Sequence, residues 1–196
     1  MGVMSKERLA AFSDGVIAII ITIMVLELKV PHGADWASLA KLWPTFLSYV
    51  LSFVFVAIYW NNHHHLVYAC KRVNGAILWA NTHLLFWLSL IPFTTGWMGE
   101  NQFAELPVAV YGVSLLMPAL AYYVLQRAIV RANGEDRVLA DALGHDIKGK
   151  LSPLLCLAGI GLAFVNPLLA CATYALIGLM WLIPDRRIER AIEREE

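Results

Sequence analysis

The sequence predicts an all-α integral membrane protein with six transmembrane helices and both termini in the cytoplasm. Of its 196 residues, 59% are hydrophobic and only 15% are charged, whereas a soluble domain has about 25% charged residues. The mean hydropathy is +0.62, and the apolar residues form stretches that approach or exceed the roughly 20 residues needed to cross a bilayer. The Lys and Arg residues are also distributed very unequally between the connections.

The apolar stretches define the expected spans in chain order. The last stretch, 151–183, would be about 50 Å long as a single helix, against a hydrocarbon core of about 30 Å. Asn166-Pro167 lies in its middle and favours a turn, so we divide it into two spans. Pro92 predicts a break in the third span. The six spans, which form one domain over residues 1–196, are expected at about 5–29, 44–66, 75–98, 105–131, 150–165 and 167–184.

The basic residues favour six spans over five. With six spans, thirteen of the 15 Lys and Arg lie on the side of both termini, and only Lys29 and Lys41 lie on the other side. With five spans the division would be nine against six. Cytoplasmic loops carry an excess of Lys and Arg, so the charges place both termini in the cytoplasm.

Several protein classes are not indicated by the sequence. It contains no Gly-rich phosphate loop, no CxxC pair and no GxSxG motif, so we expect neither enzyme activity nor a cofactor. The formal net charge is zero, and no nucleic-acid partner is expected. Cys70, Cys156 and Cys171 are scattered, which predicts buried free thiols.

The first span carries ionisable residues that a simple anchor would not need. Arg8 and Asp14 lie near its start and Glu27 near its end. A charged side chain inside a span costs about 2.5–3.5 kcal/mol on insertion scales. Asp14 therefore needs a hydrogen-bond donor, either from a neighbouring helix or from Arg8.

The middle of the first span is an aliphatic stripe. Residues three and four apart share a helical face, so Ile19, Ile23 and Leu26 lie together, with Thr22 beside them. Two interpretations are open from periodicity alone: the stripe lines a path for ions, or the whole helix is packed core or faces lipid.

Candidate donors for Asp14 occur at the cytoplasmic ends of the second and third spans. They are indole, imidazole and amide groups, which can satisfy a buried carboxylate. Consecutive helical residues diverge by about 100°, so the run 63–65 of three histidines cannot face one metal ion, and no metal site is expected. Which of the three faces the bundle stays open. The candidate donors are Trp60, His63, His64, Asn81 and His83.

The first span resembles a known family. The pattern R-x-x-x-F-S-D, followed by G-V-x-A-I-x-x-T-x-x-x-L-E-L-x-x-P, is similar to the first helix of the bacterial relatives of the lysosomal potassium channel called transmembrane protein 175. The pattern begins at Arg8 and ends at Pro31. Further agreement comes from Trp60, His64, Asn81 and Pro92-Phe93.

The resemblance implies a homotetramer in a bacterial inner membrane, with one central pore lined by the first helix of each subunit. By motif position, the narrowest pore residues would be Ile19, Ile23 and Leu26, and Thr22 would contribute to selectivity. The F-S-D cluster would pack among the first three spans instead of lining the pore. The structural polar network that we expect comprises Arg8, Phe12, Ser13, Asp14, Trp60, His64, Asn81 and His83.

The expected function is a potassium-permeable cation channel with a hydrophobic constriction and no T-V-G-Y-G carbonyl filter. Rings of aliphatic side chains can gate by dewetting, and Glu27 near the outer mouth would raise the local cation concentration. The alternative is a proton-coupled transporter or proton leak through Asp14 with His64 or His83, because imidazole titrates near neutral pH. A haem or redox protein that uses paired histidines is a more distant alternative.

Overall fold

The computed structural model describes residues 5–134 and 147–182, and every regular element in these ranges is helical, as the sequence predicts. A 3₁₀ turn, Val25–Glu27, follows the first helix. The helices are α1 (Lys6–Met24), α2 (Trp36–Ala40), α3 (Trp43–Tyr68), α4 (Gly75–Ser89), α5 (Ile91–Glu100), α6 (Glu105–Asn133), α7 (Ile147–Ala163) and α8 (Pro167–Leu182).

Four helical segments in the described residues are long and apolar enough to cross a membrane. They are Lys6–Glu27, Trp43–Tyr68, Gly75–Glu100 and Glu105–Asn133. The remaining pair, α7 and α8, have 17 and 16 residues, which corresponds to about 25 Å each.

The turn between α7 and α8 lies where the sequence predicts it. The Asn166 side chain accepts hydrogen bonds from the backbone N–H groups of Leu168 and Leu169, at 3.0 and 3.3 Å, and so caps the start of α8. The expected end of the sixth span at 183–184, Arg137 and the arginines within 186–194 lie outside the described residues.

The third predicted span is a broken helix. It is interrupted at Leu90, two residues before Pro92, and continues as α5. Proline cannot donate a backbone hydrogen bond, and its ring clashes with the preceding turn. The hydroxyls of Thr94 and Thr95 donate to the carbonyl of Ile91, at 3.1 and 2.7 Å, within the first turn of α5.

The helix α6 lies between two hydrophobic clusters. One cluster joins α6 to α1, α3 and α4 and includes Ile17, Leu84 and Leu125. The other joins it to α3, α5, α7 and α8 and includes Tyr111 and Tyr174. A single chain therefore has a continuous interior, although many large apolar side chains remain on its outer surface. Such a surface is suited to lipid or to other membrane-embedded protein.

Hydrogen bonds link the start of α1 and the end of α6 to the end of α3, at one end of the bundle. Lys6, at the start of α1, donates to the carbonyl of Tyr68, at the end of α3, at 3.1 Å. Asn133, at the end of α6, accepts from the N–H of Lys71 and donates to the carbonyl of Ala69, at 3.1 and 3.0 Å. Lys6 and Lys71, two of the basic residues that the sequence assigns to one side, therefore lie at the same end of the bundle.

The short helix α2 was not predicted. Asp35 caps it by accepting a 2.7 Å hydrogen bond from the N–H of Ser38. This hydrogen bond also holds the pKa of Asp35 below its ordinary value. The cap was readable from the sequence as an Asp before a short apolar run, but a helix of five residues has too little periodicity to be recognised.

Candidate functional site on helix α1

The helix α1 has one buried face and one exposed face in the single chain. The buried face includes Ile17 and Met24. On the other face, the exposed fractions are 57% for Ile19 and 44% for Ile23, and Leu26, in the 3₁₀ turn that follows α1, is 74% exposed. The aliphatic stripe therefore points away from its own bundle and is available to line a path or to meet another surface.

Thr22 lies on the same exposed face, and its hydroxyl has a fixed role. Its Oγ1 donates to the carbonyls of Ala18 and Ile19, both at 3.0 Å. Because the hydroxyl proton is directed at the backbone, the lone pairs of the oxygen remain on the exposed side. Thr22 can thus offer an acceptor to a cation but no donor to an anion.

The buried face of α1 is anchored by a directed chain of hydrogen bonds. His63 Nε2 lies 2.7 Å from Asn81 Oδ1, Asn81 Nδ2 donates to Ser13 Oγ at 2.9 Å, and Ser13 Oγ donates to the Leu9 carbonyl at 2.9 Å. His63, Asn81 and Ser13 are all fully buried or nearly so. Since Asn81 Oδ1 can only accept, His63 must carry its proton on Nε2.

Asp14 has a different partner from Ser13. Its carboxylate accepts a 3.0 Å hydrogen bond from Trp60 Nε1, so the donor that Asp14 requires comes from α3 and not from Arg8. The Arg8 side chain is exposed. The F-S-D segment therefore joins α1 to α3 through Asp14 and to α4 through Ser13.

Two histidines of the expected network lie elsewhere. His83 accepts a 2.8 Å hydrogen bond from Trp87, within α4. His64 is exposed, with its ring 6.1 Å from that of Trp60. Within the part of the chain that the structure describes, neither hydrogen-bonds to Asp14. The bundle-facing histidine is His63, because the rotation of α3 against α4 turns its neighbour outward.

Phe12 also differs from the expectation. The resemblance implied that it packs among the first spans, but its side chain is 59% exposed. Consecutive helical residues are about 100° apart, so the residue before the buried Ser13 turns toward the exposed face. Phe12 therefore extends the surface formed by Ile19 and Ile23 toward the start of α1.

Sequence reasoning missed a second buried polar network. The Thr95 hydroxyl lies 2.6 Å from that of Ser52, and the Ser52 hydroxyl lies 3.0 Å from that of Tyr111, both within hydrogen-bond distance. Nearby, Thr94 and Ser114 share a 2.8 Å hydrogen bond. One indication of this network was present in the sequence: three apolar spans carry hydroxyl residues at similar depths in the membrane. These bonds fix α5 against α3 and α6, beside the break at Leu90.

The end of α1 meets α5 through charged groups. Glu27 lies so close to α5 that a Cβ added at Gly96 would be 2.7 Å from its Oε2. Lys29 and Glu100 form an ion pair, and the hydrogen bond that Lys29 donates to Glu100 raises the pKa of Lys29. Next to these groups, a groove of about 430 Å³ is lined by residues that include Ile19, Ile23 and Phe93.

Comparisons with known proteins identify the family of the chain. Residues 8–92, which contain the exposed face of α1 and its polar anchors, match the family model described as the endosomal/lysosomal potassium channel TMEM175. A potassium channel of Chryseobacterium sp. (strain P1-3) is 54% identical over 190 residues, covering 97% of this chain and 99% of that protein. The chain belongs to the TMEM175 family.

Other TMEM175 proteins support the family assignment. The crystal structure of a lysosomal potassium-selective channel TMEM175 homolog from Chamaesiphon minutus is similar with a TM-score of 0.80 and 29% identity, covering 92% of this chain and 97% of that chain. The human endosomal/lysosomal proton channel TMEM175 is 33% identical over 116 residues, covering 53% of this chain but only 23% of that protein. The TMEM175 family consists of channels, and this chain is accordingly not an enzyme.

Proposed function

We propose that this protein is a potassium-permeable channel in which four copies bring their α1 helices together around a central pore. One observation carries the proposal: Ile19 and Ile23 on α1 and Leu26 in the following 3₁₀ turn form an exposed stripe, and the opposite face of α1 is anchored. The anchoring fixes the direction of the stripe, as a pore wall requires. The Chryseobacterium relative, similar along nearly its whole length, is named a potassium channel.

The chemistry of the stripe suits a partly dehydrated monovalent cation. Aliphatic rings form a constriction that can close by dewetting. The Thr22 hydroxyls, with their protons held by the backbone, would replace part of the hydration shell of an ion. The stripe between Ile19 and Leu26 contains no carboxylate, so divalent cations gain little there.

The proposed topology has six spans and both termini in the cytoplasm of a bacterial cell. The clustering of Lys6, Tyr68 and Asn133 supports it, because this end of the bundle also carries most of the described basic residues. The helices α7 and α8 are short for a bilayer of about 30 Å, and local thinning of the bilayer allows such helices to cross.

Proton permeation is the second candidate function, because the human relative is named a proton channel. The geometry gives limited support to a relay through the subunit. The chain from His63 through Asn81 ends at the Leu9 carbonyl, which accepts a hydrogen bond but releases no proton. We therefore assign proton movement, where it occurs, to the same pore.

The pore assignment is tested by ion flux into liposomes that contain the pure protein. Ile23→Asn hydrates the constriction, so potassium flux should rise and discrimination against sodium should fall. The matched control is Leu179→Asn, at an exposed position on α8, which should leave both unchanged. Equal effects of the two substitutions would reject the assignment. A pH-sensitive dye, read with and without a potassium gradient, separates potassium flux from proton flux.

The role of Thr22 has its own test. Thr22→Val keeps the shape but removes the oxygen, so the preference for potassium over sodium should fall. Thr22→Ser keeps the oxygen and should retain the preference. Reversal potentials measured across bilayers with opposing potassium and sodium solutions give both values, and loss of preference in the serine variant alone would contradict the role of the hydroxyl.

A further inference from the structure

A cavity lies on the far side of the bundle from the proposed pore. It has a volume of about 350 Å³ and is enclosed by α3, α6, α7 and α8. Residues of α1 are absent from its lining in the described part of the chain. Volumes of roughly 300–1,000 Å³ are typical of sites for small molecules. The cavity is therefore large enough for a ligand that is separate from the permeating ion.

The inner part of the cavity is apolar. Phe55, Leu115 and Ile177 line it near the middle of their helices. Along α6, the lining extends from Leu115 to Val130, a rise of about 22 Å at about 1.5 Å per residue. One leaflet, with its headgroup region included, is about 20–22 Å deep. The cavity thus runs through about one leaflet, parallel to the lipid acyl chains.

The other end of the cavity is basic and amphipathic. Arg127 and Lys150 line it together with Gln126 and the indole of Trp181. The Arg127 guanidinium lies 5.7 Å from the centre of the Tyr123 ring, and Tyr123 lines the cavity as well. This is the end of the bundle that we place in the cytoplasm, where the membrane surface carries anionic lipid.

We propose that this cavity binds an anionic phospholipid, with the phosphate at Arg127 and Lys150 and an acyl chain along Leu115 and Phe55. Charge complementarity selects the occupant: the Arg127 guanidinium matches an anionic headgroup, and the apolar length matches an acyl chain. Basic pockets between transmembrane helices on the cytoplasmic side bind anionic headgroups in this way.

Native mass spectrometry of the purified full chain tests the proposal, with phosphatidylglycerol and phosphatidylcholine of equal chain length as the probes. A basic residue near an anionic headgroup is worth a factor of about five, so through Arg127 the protein should bind phosphatidylglycerol at least about fivefold more tightly. Arg127→Gln should lower this preference by about fivefold. The control Arg131→Gln, one turn further along α6 and outside the lining, should keep it.

A second pair of variants tests the acyl-chain part of the cavity. Ala119→Phe fills the lining and should lower the binding of both lipids. Leu120→Phe, on the exposed side of the same turn, should not. Equal binding of the two phospholipids by the unmodified protein, or equal effects within each pair of variants, would overturn the proposal. If a second copy of the chain covered the cavity instead, the two phospholipids would also bind equally.

Discussion

Asn81, on α4, hydrogen-bonds to His63 of α3 and to Ser13 of α1. Replacing Asn81 by leucine removes both hydrogen bonds. The Nε2–H of His63, 1% exposed, loses its acceptor, and a buried donor left without a partner costs about 1–3 kcal/mol. The bond to Ser13 is also lost, and such side-chain bonds in membrane proteins average about 0.6 kcal/mol. We expect the free energy of unfolding to fall by about 2–3 kcal/mol.

Thermal unfolding in detergent, followed by tryptophan fluorescence, measures this loss. At about 2–4 °C per kcal/mol for a chain of this size, the midpoint should fall by about 4–12 °C. The control is Thr82→Val, at the adjacent position on α4, where the exposed hydroxyl donates to the Leu78 carbonyl of its own helix. Adding His63→Leu to Asn81→Leu should cost less than the two single losses together, because no orphaned donor remains. An Asn81→Leu midpoint equal to that of the control would refute the anchoring argument.

Three further outcomes follow from the same structure. Asp14→Asn should lower the yield of assembled protein and leave potassium selectivity unchanged, because the Asp14 carboxylate accepts a hydrogen bond from Trp60. Size-exclusion chromatography measures the yield, and ion flux measures the selectivity. A normal yield with altered selectivity would contradict a structural role for Asp14. Gly159→Ala should destabilise the protein by about 1–3 kcal/mol, because the added Cβ would overlap the buried Tyr174 ring. A Cβ at Gly161 meets nothing within 4 Å, so Gly161→Ala should be neutral or stabilising. Equal thermal unfolding midpoints of the two variants would contradict this. Cys70 should react with maleimide at pH 7 only after denaturation, since burial covers the thiol and raises its pKa. Labelling of Cys70 in the folded protein as fast as in the denatured protein would contradict this.

Much of the helical framework follows from local sequence. Apolar length determines α3 and α6, Pro92 explains the break before α5, and Asn166 explains the turn before α8. Each feature depends on residues within a few positions of one another, and so each is visible in one segment. The stripe on α1 follows equally from helical spacing.

The orientation of helices against one another could not be read in the same way. Among three consecutive histidines, only the rotation of α3 against α4 selects His63 for the interior. The same sequence allowed Asp14 to bond to an imidazole, and the packing gave it the Trp60 indole instead. For Phe12, its place in the F-S-D motif led us to expect burial, whereas its side chain is 59% exposed in the single chain.

The most direct test of the central claim is a metal-ion block at the stripe. In a pore lined by α1, Ile23→Cys places thiols of neighbouring copies around one axis, where a soft metal ion binds them. Cadmium should then stop potassium flux in this variant and leave the unmodified protein and Leu179→Cys unaffected. Undiminished flux through the Ile23→Cys protein in saturating cadmium would contradict the claim that this face of α1 forms the pore.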